Sequence, residues 1–262
     1  MERITSEQNK WLKKIKALGL KKYRDEYGQF VIEGGRFCEE ALKNKAEIEA
    51  LLVSEAALEN PAVKGVLTKF TPDYFVVAGN LLEKCLPTVH PQGIAAIVAK
   101  PSWDLEQVLQ TDVVLIIDGI QDPGNLGTLI RTSLGVGVGA VFCLKGTVDL
   151  YNEKTLRATM GAVFNLPVLY IQDKQSLLNL LQKHNFTVVV ADVNTEMYYY
   201  EYNYPEKVAL VLGSEAHGPL NFQESYQKVK IPLNPVVESL NVAIAGGIIL
   251  YEIFRQKHFS LD

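Results

Sequence analysis

Hydrophobic and polar positions alternate along the chain in two recurring patterns. Short continuous apolar runs are typical of parallel strands covered on both faces, and they include VVLII at 113–117, VVVA at 188–191 and ALVL at 209–212. Longer segments between them carry apolar residues every three or four positions and predict helices. In the C-terminal part of the chain this alternation ends in a long predicted helix at 239–257. We therefore predict an α/β fold with a parallel sheet.

The first 105 residues predict a smaller α/β domain. Helices are predicted at 5–18, 35–44, near 54–59 and at 71–78, and strands at 29–32, 48–53, 66–69 and 93–99. Thr5 with Gln8 has the spacing of a capping box and predicts the start of the first helix. Pro101 and Ser102 then indicate a linker before the next apolar strand. The predicted domains are 1–105 and 106–262.

Charge is distributed unevenly between these two parts. The formal net charge of −4 argues against a protein that coats nucleic acid by bulk charge. Residues 1–105 carry 15 basic and 14 acidic side chains, whereas residues 106–262 carry 11 and 16. Seven of the basic side chains fall within 10–24, where there is no acidic residue. A basic helix face of this kind is typical either of a solvated surface or of a phosphate-contacting edge.

Composition limits the class of protein further. Hydrophobic residues make up 48% of the chain and charged residues 21%, as in ordinary globular proteins. No apolar run is long enough for a transmembrane helix, and the first residues lack the apolar core of a signal peptide. The three cysteines and four histidines are scattered, which argues against a disulfide framework and against a metal site. These features predict a reduced, soluble, cytoplasmic protein.

A glycine-rich stretch at 135–140 matches the letters of a dinucleotide-binding fingerprint. That fingerprint must follow a strand and open a helix, so that the helix N-terminus meets the pyrophosphate. Here the glycines follow a predicted helix and precede a predicted strand, which favours a helix end and a tight turn. A dinucleotide-dependent oxidoreductase is the hypothesis that rests on this match alone.

Three other segments follow predicted strands and carry polar residues, namely 116–137, 208–220 and 230–256. Ligands bind at the carboxyl ends of parallel strands, so each segment is a candidate site. The first contains Asn125 and Arg131, the second Gly213 and Glu215, and the third Ser239. Each residue also has a structural interpretation. Asn125 and Ser239 are candidate helix caps, Glu215 suits a helix N-terminus, and Arg131 suits a solvated surface.

In this order and spacing, the three segments resemble the SpoU (TrmH-type) branch of the SPOUT RNA methyltransferases over about residues 112–257. The resemblance is carried by Asn125, Gly127 and Arg131, by Leu212-Gly213-Ser214-Glu215 with Gly218, and by Ile231-Pro232 with Glu238-Ser239-Leu240-Asn241-Val242. The segment FVIEGGRFCEEAL at 30–42, behind the basic helix, resembles the ribosomal-protein-like RNA-binding domain that many members place first.

The resemblance implies a fold, a cofactor and a set of site residues. It implies a SPOUT domain with a parallel sheet and a deep C-terminal trefoil knot, S-adenosylmethionine as cofactor, and a homodimer with the site at the subunit interface. The catalytic residues by motif position are Asn125, Arg131, Glu215, Ser239 and Asn241. The cofactor-binding residues are Leu212, Gly213, Ile231 and Leu240. The candidates for RNA contact are Lys10, Lys13, Lys14, Lys21, Lys22, Arg24 and Arg36.

The implied activity is methylation of a ribose 2′-hydroxyl in structured RNA, with ribosomal RNA as the leading substrate and no metal. Arg131 has two open roles, proton acceptor near the cofactor cation or clamp on the RNA. A transfer-RNA ribose methyltransferase is the alternative within the class. A catalytically idle RNA-binding or ribosome-assembly protein is the alternative outside it.

Overall fold

A computed structural model describes residues 2–70, 73–88, 91–214, 218, 222 and 226–259. The chain divides into two compact units, which we call unit 1 and unit 2. Unit 1 comprises Met1–Ser102 and Tyr151–Phe164, and unit 2 comprises Trp103–Leu150 and Asn165–Asp262. The first division therefore lies close to the predicted boundary at 105. The segment Tyr151–Phe164 belongs with unit 1, although the sequence analysis assigned it to the second domain.

Helices and strands are numbered in chain order within the described residues. The strands are β1 (Glu2–Ile4), β2 (Gln29–Glu33), β3 (Ile48–Ser54), β4 (Phe75–Val77), β5 (Ile94–Ala99), β6 (Val113–Asp118), β7 (Ala140–Leu144), β8 (Val168–Ile171), β9 (Thr187–Ala191), β10 (Val208–Gly213) and β11 (Gln227–Val229). The helices are α1 (Lys10–Leu18), α2 (Lys21–Tyr27), α3 (Gly35–Lys43), α4 (Pro61–Leu67), α5 (Leu105–Val108), α6 (Pro123–Gly135), α7 (Glu153–Thr159), α8 (Lys174–Lys183) and α9 (Val242–His258).

Unit 1 is built on a mixed sheet with strand order β1-β4-β3-β5-β2. The strands β1, β4 and β3 are parallel neighbours, and β5 pairs antiparallel with both β3 and β2. Helix α1 buries Leu12, Ile15 and Leu18 in a cluster that also contains Leu52 and Ile97 of the sheet. The apolar face of the basic helix therefore packs on the sheet, which leaves its lysines on the outside.

Unit 2 is built on a six-stranded parallel sheet with strand order β11-β9-β10-β6-β7-β8. Every residue of β6 is buried, because helices cover both faces of the sheet. Val114 and Ile116 lie in one cluster with Leu177 and Leu181 of α8. Elsewhere in unit 2, α9 packs against α6 and β10. The predicted α/β fold with a parallel sheet is confirmed.

The structure corrects the start of the first helix. Residues 5–18 do not form one helix, since α1 begins only at Lys10. The cap is Asn9, whose Oδ1 accepts a hydrogen bond of 2.8 Å from the Trp11 N–H. The predicted Thr5–Gln8 capping box is therefore wrong. The basic stretch also spans two helices, because the chain turns between Leu18 and Lys21.

In two further segments of unit 1, the structure has a helix where a strand was predicted and a strand where a helix was predicted. The predicted strand at 66–69 overlaps the end of α4, which Asn60 caps by accepting from the Ala62 N–H at 2.9 Å. The predicted helix at 71–78 overlaps β4, whose register is fixed by pairing with β1 on one side and β3 on the other. Short apolar runs do not distinguish a strand from a helix by periodicity, and here long-range pairing decides.

The glycine-rich stretch lies where the sequence analysis placed it, between the end of α6 and the start of β7. It precedes a strand and does not open a helix, so the dinucleotide hypothesis has no structural support in these residues. Within the described part of the chain, no helix combines the length and the hydropathy that a membrane span requires.

Candidate functional site

The carboxyl ends of neighbouring parallel strands place the candidate site in unit 2. Strand β10 ends at Gly213, which is paired with Asp118 at the end of β6. Strand β9 ends at Ala191, which is paired with Val229 at the end of β11. Because parallel strands end on the same edge of the sheet, the loops that follow them meet there.

A cavity of about 330 Å³ opens at this edge. Its lining includes Leu212, Gly213, Ile231 and Leu240, the four residues that the sequence analysis assigned to the cofactor. Apolar side chains of α9 form another part of the wall. The volume lies at the lower end of the range of small-molecule sites, which are mostly apolar with a few placed polar groups. The cavity therefore fits a cofactor held largely through main-chain groups and apolar contacts.

The first and third motifs meet through a side-chain hydrogen bond. The Asn241 Nδ2 donates to the Asn125 Oδ1 at 2.8 Å, across 116 residues of chain. The Oδ1 of the same Asn241 accepts from the N–H groups of Ala243 and Ile244 at 3.0 and 3.2 Å. Asn241 thus caps α9 and fixes the Asn125 side chain beside it.

Two residues differ from their predicted structural positions. Asn125 does not cap α6, because the helix begins at Pro123 and the Oδ1 of Asp122 accepts from the Asn125 N–H at 2.8 Å. Ser239 does not cap α9, since the helix begins only at Val242. Ser239 instead lines the cavity next to Leu240.

Two catalytic candidates remain, Arg131 and Glu215. Arg131 lies on α6 with an exposed side chain, and it is not among the described residues that line the cavity. Glu215, a catalytic residue by motif position, lies outside the described residues. The structure therefore brings Asn125 and Asn241 together, with Ser239 on the adjacent cavity wall.

The small-residue face of α9 packs inside unit 2. A Cβ added to Gly246 would lie 2.5 Å from Leu129 Cδ2 of α6 and 2.5 Å from Leu212 Cδ1 of β10. Such a distance is far below van der Waals contact, so only glycine lets α9 approach both elements. At Gly246 the neighbours are a helix and a strand of the same chain.

Sequence reasoning missed the wall of the cavity that follows β9. Asp192, Val193 and Asn194 line it, as does Lys230, which follows β11. The Lys230 Nζ also lies 5.2 Å from the ring centroid of Tyr198. The available signal was the predicted strand at 187–191, because its carboxyl end lies on the same sheet edge as that of β10.

The basic residues proposed for RNA contact lie in unit 1 and are not equivalent. Lys10, Lys13 and Lys22 are exposed. The Nζ of Lys14 lies 2.5 Å from a Glu49 carboxylate oxygen. Lys21 pairs with Asp25, and hydrogen bonds from Lys100 and Lys21 lower the pKa of that carboxyl group. Lys10, Lys13 and Lys22 can therefore contact a phosphate directly, whereas Lys14 and Lys21 must first release their carboxylate partners.

Arg24 corrects the predicted RNA surface. Its side chain is buried, and its Nη1 donates to the carbonyl oxygens of Leu18 and Gly19, both at 2.8 Å. These acceptors lie at the C-terminal end of α1, so the guanidinium satisfies carbonyls that the helix leaves open. We therefore assign Arg24 to the stability of unit 1 and remove it from the RNA contacts.

Comparison with known proteins decides the family. Residues 112–251, more than half of the chain, match the model of the SpoU rRNA Methylase family. The chain belongs to the SpoU rRNA methylase family. Residues 9–96 of this SpoU methylase match the MRM3-like substrate binding domain. The family resemblance drawn from the three motifs is confirmed.

Relatives match this SpoU methylase over nearly its whole length. The 23S rRNA (guanosine(2553)-2′-O)-methyltransferase RlmP of Bacillus subtilis is 32% identical over 256 residues, which cover 97% of this chain and 99% of the relative. A crystal structure of an RNA 2′-O ribose methyltransferase is 32% identical, has a TM-score of 0.80 and covers 97% of this chain and 99% of its own. An AdoMet-bound rRNA methyltransferase from Sinorhizobium meliloti is 27% identical, has a TM-score of 0.84 and covers 99% of both chains.

These similarities confirm the predicted class and cofactor. The SpoU methylase described here is an S-adenosylmethionine-dependent RNA methyltransferase.

Proposed function

We propose that the cavity lined by Leu212, Gly213, Ile231 and Leu240 holds S-adenosylmethionine, that Asn125 orients the RNA ribose beside it, and that Arg131 contacts the ribose hydroxyl in the site of the other subunit of a dimer. The observation that carries this proposal is the hydrogen bond between Asn241 and Asn125. It ties the first motif to the third at the amino end of α9, next to a cavity that the second and third motifs line. Three motifs that are far apart in sequence thus serve one site.

The residues of the chain have a limited task in the reaction. Bound S-adenosylmethionine supplies a methyl group on a sulfonium, which is reactive towards an oxygen nucleophile. The protein must hold the ribose 2′-hydroxyl oxygen close to that methyl group and provide for its proton. We assign the orientation of the ribose to Asn125 and the contact with the hydroxyl to Arg131. As acceptor, Arg131 must first be a neutral guanidine, whose unprotonated nitrogen takes the hydroxyl proton and becomes a guanidinium. As clamp, it stays a guanidinium and fixes the hydroxyl oxygen by donating hydrogen bonds.

We propose ribosomal RNA as the substrate. The Bacillus subtilis relative, which has nearly the same length, is named for a guanosine of 23S rRNA. Unit 1 matches a substrate-binding domain and carries exposed lysines on α1 and α2. These lysines give a localised cationic surface on a chain whose net charge is −4.

We also propose a homodimer with a site completed across the interface. Ile244 and Tyr251 of α9 are 55% and 57% exposed, and Leu134 of α6 is 38% exposed. Large exposed apolar side chains on two packed helices mark an interaction surface. Arg131 lies on the same pair of helices and outside the lining of its own cavity, which supports a role toward the partner's site. A trefoil knot around the third motif and a cytoplasmic location complete the proposal.

Filling the cavity tests the cofactor site. Ala245 lines the cavity and is half-buried, so the leucine side chain of Ala245→Leu occupies part of the space. We expect the Kd for S-adenosylmethionine in titration calorimetry to rise at least about tenfold, the equivalent of 1.4 kcal/mol. Ala56→Leu is the matched control, because Ala56 is exposed in unit 1 and does not line the cavity. An unchanged Kd in Ala245→Leu contradicts the assignment, and absence of binding to the unaltered protein favours the idle RNA-binding alternative.

A further inference from the structure

Unit 1 contains a second cavity of about 330 Å³, separate from the proposed cofactor site. One wall is formed where β2 passes into α3, and it includes Glu33, Arg36 and Phe37. The opposite wall is formed by α7 and the residue after it, with Arg157 and Met160. The segment Tyr151–Phe164, which interrupts unit 2 in sequence, therefore completes a cavity in the unit that matches a substrate-binding domain.

A buried carboxylate forms the polar part of this cavity. The Glu33 side chain is only 8% exposed. Its Oε2 accepts from the Thr88 Oγ1 at 2.6 Å, and its Oε1 accepts from the Gln92 N–H at 3.1 Å. A carboxylate has about four lone-pair sites, so Glu33 retains capacity for further N–H donors. A buried acceptor with spare capacity favours a ligand that brings such donors.

Two arginines lie on the wall of this cavity, which also carries the carboxylate of Glu40, itself paired with Lys43 at 3.0 Å. Arg157 lies 3.1 Å from a Glu153 carboxylate oxygen and 3.9 Å from the Glu33 Oε2, and its side chain is 55% exposed. Arg36 is exposed on the first turn of α3. Arginine recognises phosphate through a planar fork of N–H groups, and both side chains line the same cavity.

The cavity also offers apolar surface for a flat group. The Phe37 ring packs edge-on against Phe164, with their centroids 5.7 Å apart, which holds it in place. Met160 is 46% exposed, although it lies on the cavity wall. Aromatic and thioether side chains in such a position are typical partners of a nucleobase.

The backbone at the cavity is adapted to close approach. Gly34 has φ of +97°, a conformation that side chains other than glycine rarely adopt. A Cβ at Gly34 would lie 2.7 Å from the Gln92 Oε1, so any larger residue would displace the side chain that borders the cavity. Glycine at this position keeps both the turn and the open space.

We propose that this cavity binds one unpaired nucleotide of the substrate RNA. Glu33 accepts hydrogen bonds from the N–H groups of the base edge, Phe37 and Met160 contact its face, and Arg36 and Arg157 contact the adjacent phosphate. A nucleotide carries N–H donors on its base edge, a flat base ring and an anionic phosphate, and the residues of the cavity can contact all three. The inference rests on the proposed function, since it takes RNA as the substrate. It adds a recognition site that the catalytic motifs do not contain.

Two charge-matched variants of α7 test this site in the full-length protein. Arg157→Gln removes a cation from the cavity, whereas Lys154→Gln removes one from the same helix at an exposed position outside it. Steady-state methyl transfer to 23S rRNA transcripts separates KM from kcat. We expect Arg157→Gln to raise the KM for RNA about tenfold, as for one charged hydrogen bond of about 1.5 kcal/mol, with kcat within about twofold. Lys154→Gln should leave both constants within about twofold.

A second measurement is independent of activity and of any variant. The unaltered protein is irradiated with 23S rRNA that contains 4-thiouridine or 6-thioguanosine, and the cross-linked peptides are mapped by mass spectrometry. We expect cross-links in the peptides that contain Phe37 or Met160. Equal KM changes in the two variants, or cross-links confined to other peptides, overturn the proposal. If the unaltered protein transfers no methyl group to RNA, the proposed function fails, and the cross-links alone then decide the cavity.

Discussion

Asn241 connects helix stability to the site through one side-chain amide. Its oxygen caps α9, and its nitrogen donates to Asn125. A serine at an N-cap is about as effective as asparagine, but its side chain is shorter. Substitution at this position can therefore separate the two tasks.

We predict different consequences for two substitutions of Asn241. Asn241→Ser keeps the cap and loses the bond to Asn125, whereas Asn241→Ala loses both. Urea denaturation should show a loss of about 1 kcal/mol for Asn241→Ala and little change for Asn241→Ser. Methyl transfer should fall at least about tenfold in both variants, because a hydrogen bond of about 1.4 kcal/mol no longer orients Asn125. A serine variant with the full transfer rate would show that the bond has no role in the site.

At the residue scale, the four residues that the family resemblance assigned to the cofactor share one cavity, whereas two candidate helix caps are not the caps. Leu212, Gly213, Ile231 and Leu240 line one cavity because the ends of parallel strands and the loops after them converge on one edge. Which residue caps a helix depends on where the chain turns, within one to three positions. For that reason the candidate caps Asn125 and Ser239 are not the N-cap residues of α6 and α9. The predicted helix end at 18 and Gly19 indicate the turn between α1 and α2, but they do not show that Arg24 folds back onto the last carbonyl oxygens of α1.

At the scale of elements, the contact of α9 with α6 and β10 depends on one glycine. Gly246 leaves no room for a Cβ, whereas a Cβ at its neighbour Gly247 would meet only Thr132 Cγ2 at 3.9 Å. The two glycines are adjacent in the same helix, so they share the same helix propensity. A difference in the free energy of unfolding between alanine variants at the two positions therefore measures the cost of packing a Cβ at Gly246.

We predict opposite effects for alanine at these two positions. Gly246→Ala should lower the free energy of unfolding by about 1–3 kcal/mol, since Leu129 and Leu212 must move. Gly247→Ala should raise it by up to about 1 kcal/mol, because alanine is the better helix former. Urea denaturation followed by circular dichroism measures both. A stabilised Gly246→Ala would mean that α9 does not pack as described.

Elements with a long, regular pattern were predictable from sequence, and short ones were not. The continuous apolar runs at 113–117, 188–191 and 209–212 lie in β6, β9 and β10. Strands β1 and β4 have three residues each and exist because β4 pairs with β1 on one side and with β3 on the other. Local sequence does not contain that pairing. The same holds for the association of Tyr151–Phe164 with unit 1.

At the scale of the whole molecule, the exposed apolar residues of α6 and α9 predict a homodimer. Sedimentation equilibrium should give twice the 29.2 kDa of one chain. Ile244→Asp places a charge within this surface and should shift the protein towards the monomer, because burying an unpaired charge is costly. Leu20→Asp is the matched control, since Leu20 is 61% exposed on unit 1. A monomeric unaltered protein, or a dimer that tolerates Ile244→Asp, would contradict the proposed interface.

The most direct test of the account is the rate of labelled methyl transfer from S-adenosylmethionine to 23S rRNA for the unaltered protein, Arg131→Ala and Arg131→Lys. The label should be recovered in alkali-resistant dinucleotides, which identifies the ribose 2′-oxygen. Arg131→Ala should lose at least about 10²-fold in rate while its Kd for the cofactor changes less than about twofold. Partial activity in Arg131→Lys would show that a cationic side chain is needed at this position. Full transfer by Arg131→Ala, or label on a base, would contradict the proposed site.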